Sequence, residues 1–398
     1  MDNAYVVGYG LIDALGNNPS DCFARMLDDK DYSSELPHMV EENHKIHRGY
    51  VVNEESLVLP EGWDTKGTTK LQRMAMHATR QALEMANLPP SSNVAVLFST
   101  CSNDTETLED SFPRLISNKR INPRVVVNRI PDMACAHISS YWQFMGVSTS
   151  LFASCATGIL TIDYCMRLLD EYDYVVCGAG DAGTFRVALK YFNAIGALGN
   201  RSVPFDDTRE GFVMGDGAGV LILASDKSVK KYGAKVHATL YPAGLASDAF
   251  DQTSPAQDGR GARLALEKAT MGKPMFNAVS AHATSTPVGD VIEYDTITSY
   301  FGNVDIYAAK SKIGHTLAGA GIIETIYAIE SMKQGIIPHV HNSTAMTMDD
   351  EHLQCVVREN KQFPKRPVLR TLNNSFGFGG KCASQIIEVG EEMYGSKE

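Results

Sequence analysis

The stretch Leu151-Phe152-Ala153-Ser154-Cys155-Ala156-Thr157-Gly158, with the residues that follow it to position 170, decides the fold of this chain. Its first part is apolar and ends in small residues, as a strand does where it enters a turn. Residues 156–170 then repeat apolar side chains at spacings of three and four, namely Ile159, Ile162, Met166 and Leu169. That repeat predicts an amphipathic helix. The pattern therefore puts Cys155 at a helix N-terminus, where backbone N–H groups and the helix dipole favour a thiolate.

A single cysteine of this kind has two interpretations. The small neighbours leave room for a substrate to reach the sulfur, which favours a reactive thiol. A lone cysteine is more often a buried structural residue, however. On this stretch alone the two interpretations are equally supported, and other segments have to decide between them.

Strand-and-helix units recur along the rest of the chain. Helices are predicted at 70–86, 290–300 and 317–333, and strands at 95–99, 174–177, 219–224, 236–241, 278–281, 306–309, 369–372 and 384–389. Alternation of this kind is typical of a layered α/β fold. The glycines at 178–183 match G-x-G-x-x-G, but the pattern is weak alone and fits close backbone packing better than a dinucleotide site. A nucleotide-dependent oxidoreductase is therefore a poor hypothesis.

Composition excludes several classes of protein. The 398 residues are 44% hydrophobic and 21% charged, as in ordinary globular domains, which argues against a disordered or low-complexity chain. The net charge of −11 argues against nucleic-acid binding by the molecule as a whole. Residues 133–162 carry no charged side chain and could span a bilayer by length. They are rich in Ser and Thr, however, which favours buried protein core, and no membrane association is expected.

Cysteine and histidine spacing predicts neither disulfides nor a metal centre. The eight cysteines form no C-x-x-C pair and the N-terminus is not a secretory signal, so we expect a cytoplasmic protein with mostly buried thiols. His339 and His341 are two residues apart and would share one face of a strand. Because no cysteine or carboxylate lies near them at metal-ligand spacing, they are interpreted as ordinary polar residues.

Two histidine segments and one glycine-rich loop support the reactive interpretation of Cys155. Ser280-Ala281-His282 ends a predicted strand and continues as Ala283-Thr284-Ser285-Thr286-Pro287, and Lys310-Ser311-Lys312-Ile313-Gly314-His315 follows another strand. Glu324 lies in the helix after the second histidine. The loop Phe376-Gly377-Phe378-Gly379-Gly380 ends a third strand with two aromatic side chains. One cysteine and two histidines, each at a strand end in a turn of small residues, predict a shared site.

Taken in this order, the segments resemble the β-ketoacyl-acyl-carrier-protein synthase family, in its chain-elongating branch, over nearly the whole chain. The combination of Cys155, H-x-T-x-T-P, K-S-x-x-G-H and G-F-G-G is specific, although no single piece would be. The resemblance implies an α/β thiolase-like fold with a duplicated five-layered αβαβα architecture. It further implies an N-terminal half, 1–240, with the cysteine and a C-terminal half, 241–398, with both histidines, packed as one compact unit.

The resemblance also implies roles for the site residues. Cys155 would accept the acyl chain as a thioester, while His282 and His315 would stabilise the enolate formed by decarboxylation. Lys310 would lie behind the site, paired with Glu324. Backbone N–H groups of Cys155 and Phe378 would form the oxyanion hole, with the Phe376 and Phe378 loop as a gate. Three hydroxyls would bind the pantetheine arm: Thr284, Thr286 and Thr253.

The implied reaction is a decarboxylative Claisen condensation of an acyl thioester with malonyl-acyl-carrier protein, in fatty acid or polyketide biosynthesis. An alternative is a chain-length-factor-like partner subunit that performs no condensation; the presence of Cys155 favours the active enzyme. Departures from the family pattern at Ala283 and at Lys381-Cys382 favour a specialised pathway.

The implied partner is an acidic acyl carrier protein, which brings its own phosphopantetheine, so the enzyme needs no cofactor. A homodimer is implied as well. Two basic clusters could attract the carrier, the first being Lys66, Lys70 and Arg73 and the second Lys119, Arg120 and Arg124. Ordinary solvated surface is an equally supported interpretation of both.

Overall fold

A computed structural model describes residues 2–90, 92–102, 105–343 and 353–390. Its strands are β1 Ala4–Asp13, β2 Ser34–Glu35, β3 Arg48–Gly49, β4 Val94–Ser99, β5 Ser148–Thr149, β6 Tyr174–Ala182, β7 Asp216–Ala224, β8 Ala238–Leu240, β9 Gly244–Ser247, β10 Ala278–Ser280, β11 Asp305–Tyr307, β12 Ile336–Ile337, β13 Lys361–Gln362, β14 Val368–Gly377 and β15 Lys381–Gly390.

The helices are α1 Pro19–Met26, α2 Pro37–Glu41, α3 Lys70–Ala86, α4 Thr105–Ile116, α5 Val125–Asn128, α6 Met133–Trp142, α7 Thr157–Leu168, α8 Arg186–Ala194, α9 Asp226–Tyr232, α10 Arg260–Thr270, α11 Gly289–Phe301, α12 Lys310–Ile313 and α13 Ala320–Gln334. Short 3₁₀ segments lie at Glu54–Ser56, Leu317–Gly319 and Leu353–Cys355.

The main sheet contains the same five-stranded pattern twice. In the first part the strands lie in the order β5-β4-β6-β7-β1, and in the second part in the order β11-β10-β14-β15-β9. In each part the first three strands of that order are parallel and the last two pairings are antiparallel. Strand β8 pairs with both β1 and β15 and joins the two parts. The duplicated α/β architecture implied by the sequence is confirmed.

Two central helices lie between the two five-stranded parts. Helix α7 contacts β4, β6 and β15, and α13 contacts β6, β7, β14 and β15. On the outer faces, α3 packs on β1 and β7, and α10 packs on β9 and β15. The order of layers is therefore helix, sheet, helix, sheet, helix, and the largest apolar clusters fill the spaces between them.

The close approach of the two central helices depends on Gly158. A Cβ atom added there would lie 2.8 Å from the backbone nitrogen of Ile322 in α13. Real Cβ atoms do not come this close to backbone, so the glycine sets the distance between α7 and α13. Since α7 begins two residues after Cys155 and α13 contains Glu324, this contact also fixes the two halves of the site relative to each other.

The structure decides how two stretches are to be interpreted, the glycines at 178–183 and the uncharged residues 133–162. The glycines at 178–183 lie largely within β6, where a Cβ on Gly178 would lie 2.4 Å from the Phe98 ring, so close packing explains them. The uncharged stretch 133–162 is divided among α6, β5 and the first turns of α7. In the described ranges, every helix is too short or too polar to cross a bilayer.

Candidate active site

Cys155 lies in a tight turn immediately before α7. Ser154 has a φ of 51°, in the left-handed region, and this turns the chain sharply between the preceding segment and the helix. The hydroxyl of Thr157 accepts a hydrogen bond from the Ala153 N–H at 2.8 Å and donates one to the Ser154 carbonyl at 2.6 Å. These bonds hold the cysteine at the helix N-terminus, as the sequence predicted.

The aromatic loop lies directly against this turn. A Cβ atom on Gly377 would lie 2.7 Å from the backbone nitrogen of Cys155, so only glycine permits the end of β14 to come this close. The loop that continues from it contains Phe378, whose ring stacks on Phe192 with centroids 6.4 Å apart. The loop and the cysteine are therefore parts of the same wall.

His282 follows strand β10 and is held through its backbone. The carboxylate of Glu293 in α11 accepts hydrogen bonds from the N–H groups of His282 at 2.8 Å and Ala283 at 2.7 Å. Ala283 has a φ of 29°, a conformation for which the glycine usual in the implied family would be better suited. The two hydrogen bonds to the Glu293 carboxylate hold this strained turn in place.

His315 enters the site from the segment after α12. Its N–H donates to the Val213 carbonyl at 2.8 Å, and its own carbonyl accepts from the Gly215 N–H at 3.0 Å. The imidazole ring lies edge-on to His282, with centroids 5.4 Å apart, and to Phe212, with centroids 5.0 Å apart. The two histidines that the sequence separates by 33 positions are thus direct neighbours.

Lys310 and Glu324 form a buried ion pair behind the histidines. The lysine is 1% exposed and the glutamate is fully buried, and the Nζ atom donates to Glu324 Oε1. Burial raises the pKa of Glu324 to about 7, and the charge of Lys310 opposes that shift. The pairing implied by the resemblance is present.

The electrostatics of the site differ from the sequence prediction in one respect. Burial, followed by the charge of Lys310, lowers the pKa of His282 and of His315 well below its usual value, so both rings are neutral at pH 7. Burial raises the pKa of Cys155 to about 12, although Lys310 opposes this. The expectation that the helix end lowers the pKa of this thiol is therefore wrong, because desolvation of the sulfur outweighs the favourable helix end.

This protonation state can be tested by alkylation. We expect the rate constant for reaction of Cys155 with iodoacetamide to rise about tenfold per pH unit from pH 7 to pH 10, because only the thiolate reacts and its fraction grows up to the pKa. Mass spectrometry of the Cys155 peptide measures the rate. If the rate constant instead reached a plateau below pH 8, the pKa of Cys155 would be low, and the helix end would outweigh burial of the sulfur.

One cavity of about 470 Å³ brings the predicted side chains together. Its walls include Cys155, His282, His315, Phe376, Phe378, Thr253, Thr284 and Thr286. The hydroxyls of Thr284 and Thr286 lie 3.1 Å apart, within hydrogen-bond distance. Thr253 is exposed, and its hydroxyl donates to Asp251 at 3.1 Å. Lys310 and Glu324 do not line the cavity and lie deeper in the protein.

Several residues that shape the site were missed by the sequence analysis. Phe192 and Phe212 form aromatic walls, and Glu293 and Asp290 hold the loop after β10. Asp290 accepts hydrogen bonds from the N–H groups of Ser285 at 3.1 Å, Thr286 at 3.2 Å and the distant Phe205 at 2.9 Å. An acidic residue in the first turn of a helix, as Asp290 is in α11, was the one available signal.

The first basic cluster is largely contradicted by the structure. Lys70 is 5% exposed and its Nζ lies 2.7 Å from Asp216 Oδ2, so it is a buried partner of a carboxylate and not a surface cation. Arg73 is paired with Glu54 at 2.5 Å. Lys70 and Arg73 do lie one turn apart on α3, as their spacing predicted, but this first turn of the helix packs into the protein.

The second basic cluster lies at the surface. Lys119 and Arg120 are exposed, and Arg124 lies 3.2 Å from Asp64. A shallow depression collects Lys66, Arg114, Arg120 and Arg124 with a single acidic residue, Asp110. Of the residues predicted for a carrier surface, Lys66, Lys119 and Arg120 are exposed, and Arg124 lies beside them at the surface but is paired with Asp64.

Comparisons with known proteins agree with this geometry. Residues 1–228 match the model of the β-ketoacyl synthase N-terminal domain, and residues 237–344 match that of the C-terminal domain. The chain is 28% identical to 3-oxoacyl-[acyl-carrier-protein] synthase 2 of Staphylococcus aureus, over 96% of this chain and 100% of the relative. It is 32% identical to the 3-oxoacyl-[acyl-carrier-protein] synthase 2 of Rhizobium meliloti, over 71% of this chain and 69% of the relative.

Solved structures are similar over almost the entire length. A β-ketoacyl synthase from Burkholderia phymatum superposes with a TM-score of 0.86 at 25% identity, covering 98% of this chain and 100% of the other. The ishigamide ketosynthase/chain length factor superposes with a TM-score of 0.85 at 26% identity, covering 97% of this chain and 99% of the other. The thiolase-like fold, the matched domains and the convergence of Cys155, His282 and His315 lead to one conclusion: this chain belongs to the β-ketoacyl synthase family.

Proposed function

We propose that this protein is an active, chain-elongating β-ketoacyl-acyl-carrier-protein synthase. The observation that carries the proposal is the arrangement of one thiol and two neutral imidazoles in the wall of a single cavity, with a buried ion pair behind them. The reaction is the decarboxylative condensation of an acyl thioester with malonyl-acyl-carrier protein. A partner subunit without condensing activity would have no use for the thiol.

In the first half-reaction Cys155 accepts the acyl chain. The sulfur attacks the thioester carbonyl and the thiol proton passes to a neutral histidine. The carbon–sulfur bond to pantetheine then breaks, and the leaving thiolate takes that proton back from the histidine to become the pantetheine thiol. Backbone N–H groups of Cys155 and Phe378 are the proposed donors to the oxyanion, since Gly377 brings the two segments together. The raised pKa of Cys155 keeps the thiol protonated until a substrate is bound.

In the second half-reaction the two histidines act on the malonyl thioester. The bond to the carboxylate carbon breaks, CO₂ leaves, and the electron pair becomes an enolate whose oxygen accepts hydrogen bonds from His282 and His315. The enolate carbon then attacks the acyl thioester on Cys155, the carbon–sulfur bond breaks, and the released thiolate takes up one proton from the solvent to restore the thiol. Neutral imidazoles suit this role because each carries one N–H donor without placing a full positive charge in the cavity.

Decarboxylation tests the histidines separately from acyl transfer. We expect His315→Ala and His282→Ala each to slow CO₂ release from malonyl-carrier protein by about 100- to 1000-fold, because each removes one donor to the enolate. Release of ¹⁴CO₂ from labelled malonyl-carrier protein measures the rate. His47→Ala, in a loop outside the cavity, is the matched control, and equal rates in all four proteins would contradict the assignment.

The pantetheine arm of the carrier is proposed to lie along Thr284, Thr286 and Thr253. All three residues line the cavity, and Thr253 is the exposed one of the three. No cofactor of the enzyme itself is proposed, since the carrier delivers the prosthetic group.

The carrier protein is proposed to dock on the cluster formed by Lys66, Lys119, Arg120 and Arg124. A double variant Lys119→Glu and Arg120→Glu should raise KM for carrier-bound substrates by about tenfold and leave KM for a free pantetheine thioester unchanged, because only the carrier is strongly acidic. Initial-rate kinetics with both substrates measure this. Lys227→Glu and Lys230→Glu form the control, and an equal effect on both substrates would exclude the surface.

A homodimer is also proposed, on the edge of the sheet formed by β5. Met145 is 97% exposed and Phe152 is 67% exposed on either side of this two-residue strand. Large apolar side chains beside an unpaired strand edge favour association with a second copy. The same edge leads into the turn that carries Cys155.

A further inference from the structure

Two histidines outside the active site lie together in the segment after β12. His339 is 7% exposed and His341 is 6% exposed, and their ring centroids are 5.8 Å apart. Both belong to the stretch that links α13 to the C-terminal strands, and neither lines the cavity of the active site. Burial of two imidazoles side by side calls for polar partners.

The free nitrogen of His339 can be identified from its neighbours. Its Nδ1 atom lies 2.9 Å from Asn360 Oδ1, and the same oxygen accepts the His339 backbone N–H at 3.1 Å. Asn360 Nδ2 donates to the Leu27 carbonyl at 2.7 Å, which fixes the orientation of the amide. Nδ1 of His339 must therefore carry the hydrogen, and Nε2 presents a lone pair. This is the arrangement that orients metal-bound histidines.

The Nε2 atoms of both histidines are buried and lack a hydrogen-bond partner within the described residues. Asp29, in the loop after α1, supplies the carboxylate that the sequence spacing did not reveal. Its Oδ1 atom lies 3.5 Å from Nε2 of His339, and one donor atom from each of the three residues falls within 4.8 Å of the others. Ligand atoms of a tetrahedral zinc ion with bonds of about 2.0–2.1 Å are roughly 3.3 Å apart. Asp29 Oδ1 and His339 Nε2 are therefore already close to this spacing.

We propose that Asp29, His339 and His341 form a binding site for a divalent zinc-type ion. Two imidazoles and one carboxylate are a donor set typical of zinc. The Asp29 side chain is fully exposed, so water can complete the coordination from the solvent side. The proposal is independent of the condensation reaction.

Lys312, whose charge acts on His341, does not compete for this site. Its ammonium group donates to the Asp28 carbonyl at 2.6 Å, to Asp28 Oδ1 at 2.9 Å and to the Lys30 carbonyl at 2.6 Å. All three of its hydrogens are therefore used, and its charge is compensated by Asp28. Asp31 adds a further carboxylate to the same loop.

The bound ion would connect two distant parts of the chain. Asp29 lies in the loop that Lys312 holds against α12, and the His341 N–H donates to Ser311 Oγ of α12 at 3.1 Å. Helix α12 begins with Lys310 of the buried ion pair. The ion would therefore stabilise the packing of the N-terminal loop on the helical turn behind the active site, which makes its role structural.

Metal titration of the whole chain tests the proposal. The Cys155→Ala background removes the thiol that lines the active-site cavity. Chelator-treated protein is titrated with Zn²⁺ by calorimetry and followed by thermal unfolding. We expect one ion per chain with micromolar or tighter affinity and a rise in Tm, because a ligand that binds only the folded state stabilises it. Co²⁺ should give the visible bands of a tetrahedral site without a sulfur charge-transfer band.

Substitutions of the proposed ligands test whether the ion binds at this site. Asp29→Asn changes an exposed side chain and should weaken Zn²⁺ affinity at least about tenfold, because even the loss of an outer-shell partner of a metal ligand costs about 10- to 100-fold. His341→Gln should abolish both the heat signal and the rise in Tm, whereas Asp170→Asn, at an exposed position elsewhere, should leave them unchanged. Equal affinity in the parent and the two site variants, or binding only at millimolar Zn²⁺, would overturn the proposal.

Discussion

Replacing Cys155 with alanine should abolish acyl loading and lower the condensation rate by at least about a thousandfold, because the covalent intermediate can no longer form. Intact mass spectrometry after incubation with acyl-carrier protein measures loading, and chromatography of the β-ketoacyl product measures condensation. The wild type should gain the mass of one acyl group per chain. Mass gain on the alanine variant would show that another residue is the nucleophile.

Cys101 provides the matched control for this experiment. Its sulfur lies 3.2 Å from the Ser154 carbonyl, beside the same turn, but it does not line the cavity. Burial raises the pKa of its thiol well above the usual value, and the nearby charge of Asp181 raises it further. Cys101→Ala should load normally. The comparison therefore separates loss of the nucleophile from a general disturbance of the turn.

Breaking the buried pair of Lys310 and Glu324 should have the largest effect on stability. Lys310→Met leaves a carboxylate without its partner, and Glu324→Leu leaves an unpaired ammonium group, so each should lower the free energy of unfolding by about 3–5 kcal/mol. The double variant should recover much of that loss because neither charge remains. Urea denaturation of the four proteins gives the coupling energy.

The pH dependence of the free energy of unfolding shows why the Lys310→Met variant loses stability. Burial already raises the pKa of Glu324 to about 7, and removing Lys310 takes away the charge that opposes the shift. In Lys310→Met the folded state therefore binds a proton that the unfolded state releases, so stability falls as pH rises from about 4.5 toward the folded pKa. A loss independent of pH would point to packing instead. Lys230→Met, which breaks an exposed pair with Asp226, should leave stability unchanged.

The sequence was most informative where local chemistry determines local structure. Helix α3 begins and ends where the pattern predicted, because Thr69 and Gln72 form a capping box at its start and Asn87 takes the left-handed conformation at its end. The motifs also predicted that Cys155, His282 and His315 lie at strand ends, and His282 does follow β10 closely. Cys155 instead follows an irregular segment after the short strand β5, and His315 follows the helical turn α12. Their convergence in one cavity followed from the order of the motifs and the resemblance they carry.

Burial and contacts between distant segments could not be read from the sequence. Lys70 has the spacing of a surface cation, but the packing of α3 places it against Asp216, 146 positions away. The pKa of Cys155 is set by how completely protein surrounds the sulfur, and Glu293 becomes important only because α11 places it under His282. Desolvation depends on all neighbours in space, and a sequence shows only the neighbours along the chain.

The sequence by itself thus determined the α/β fold class, the family and the identity of the thiol and the two imidazoles, because spacing, turn chemistry and motif order are local properties. The tertiary structure decided the protonation of those groups, the carboxylates that hold their loops, the part of the basic surface that is accessible and the meeting of Asp29 with His339 and His341. Each of these depends on distances between segments that lie up to about three hundred residues apart, and such distances are set by the packing of the layers.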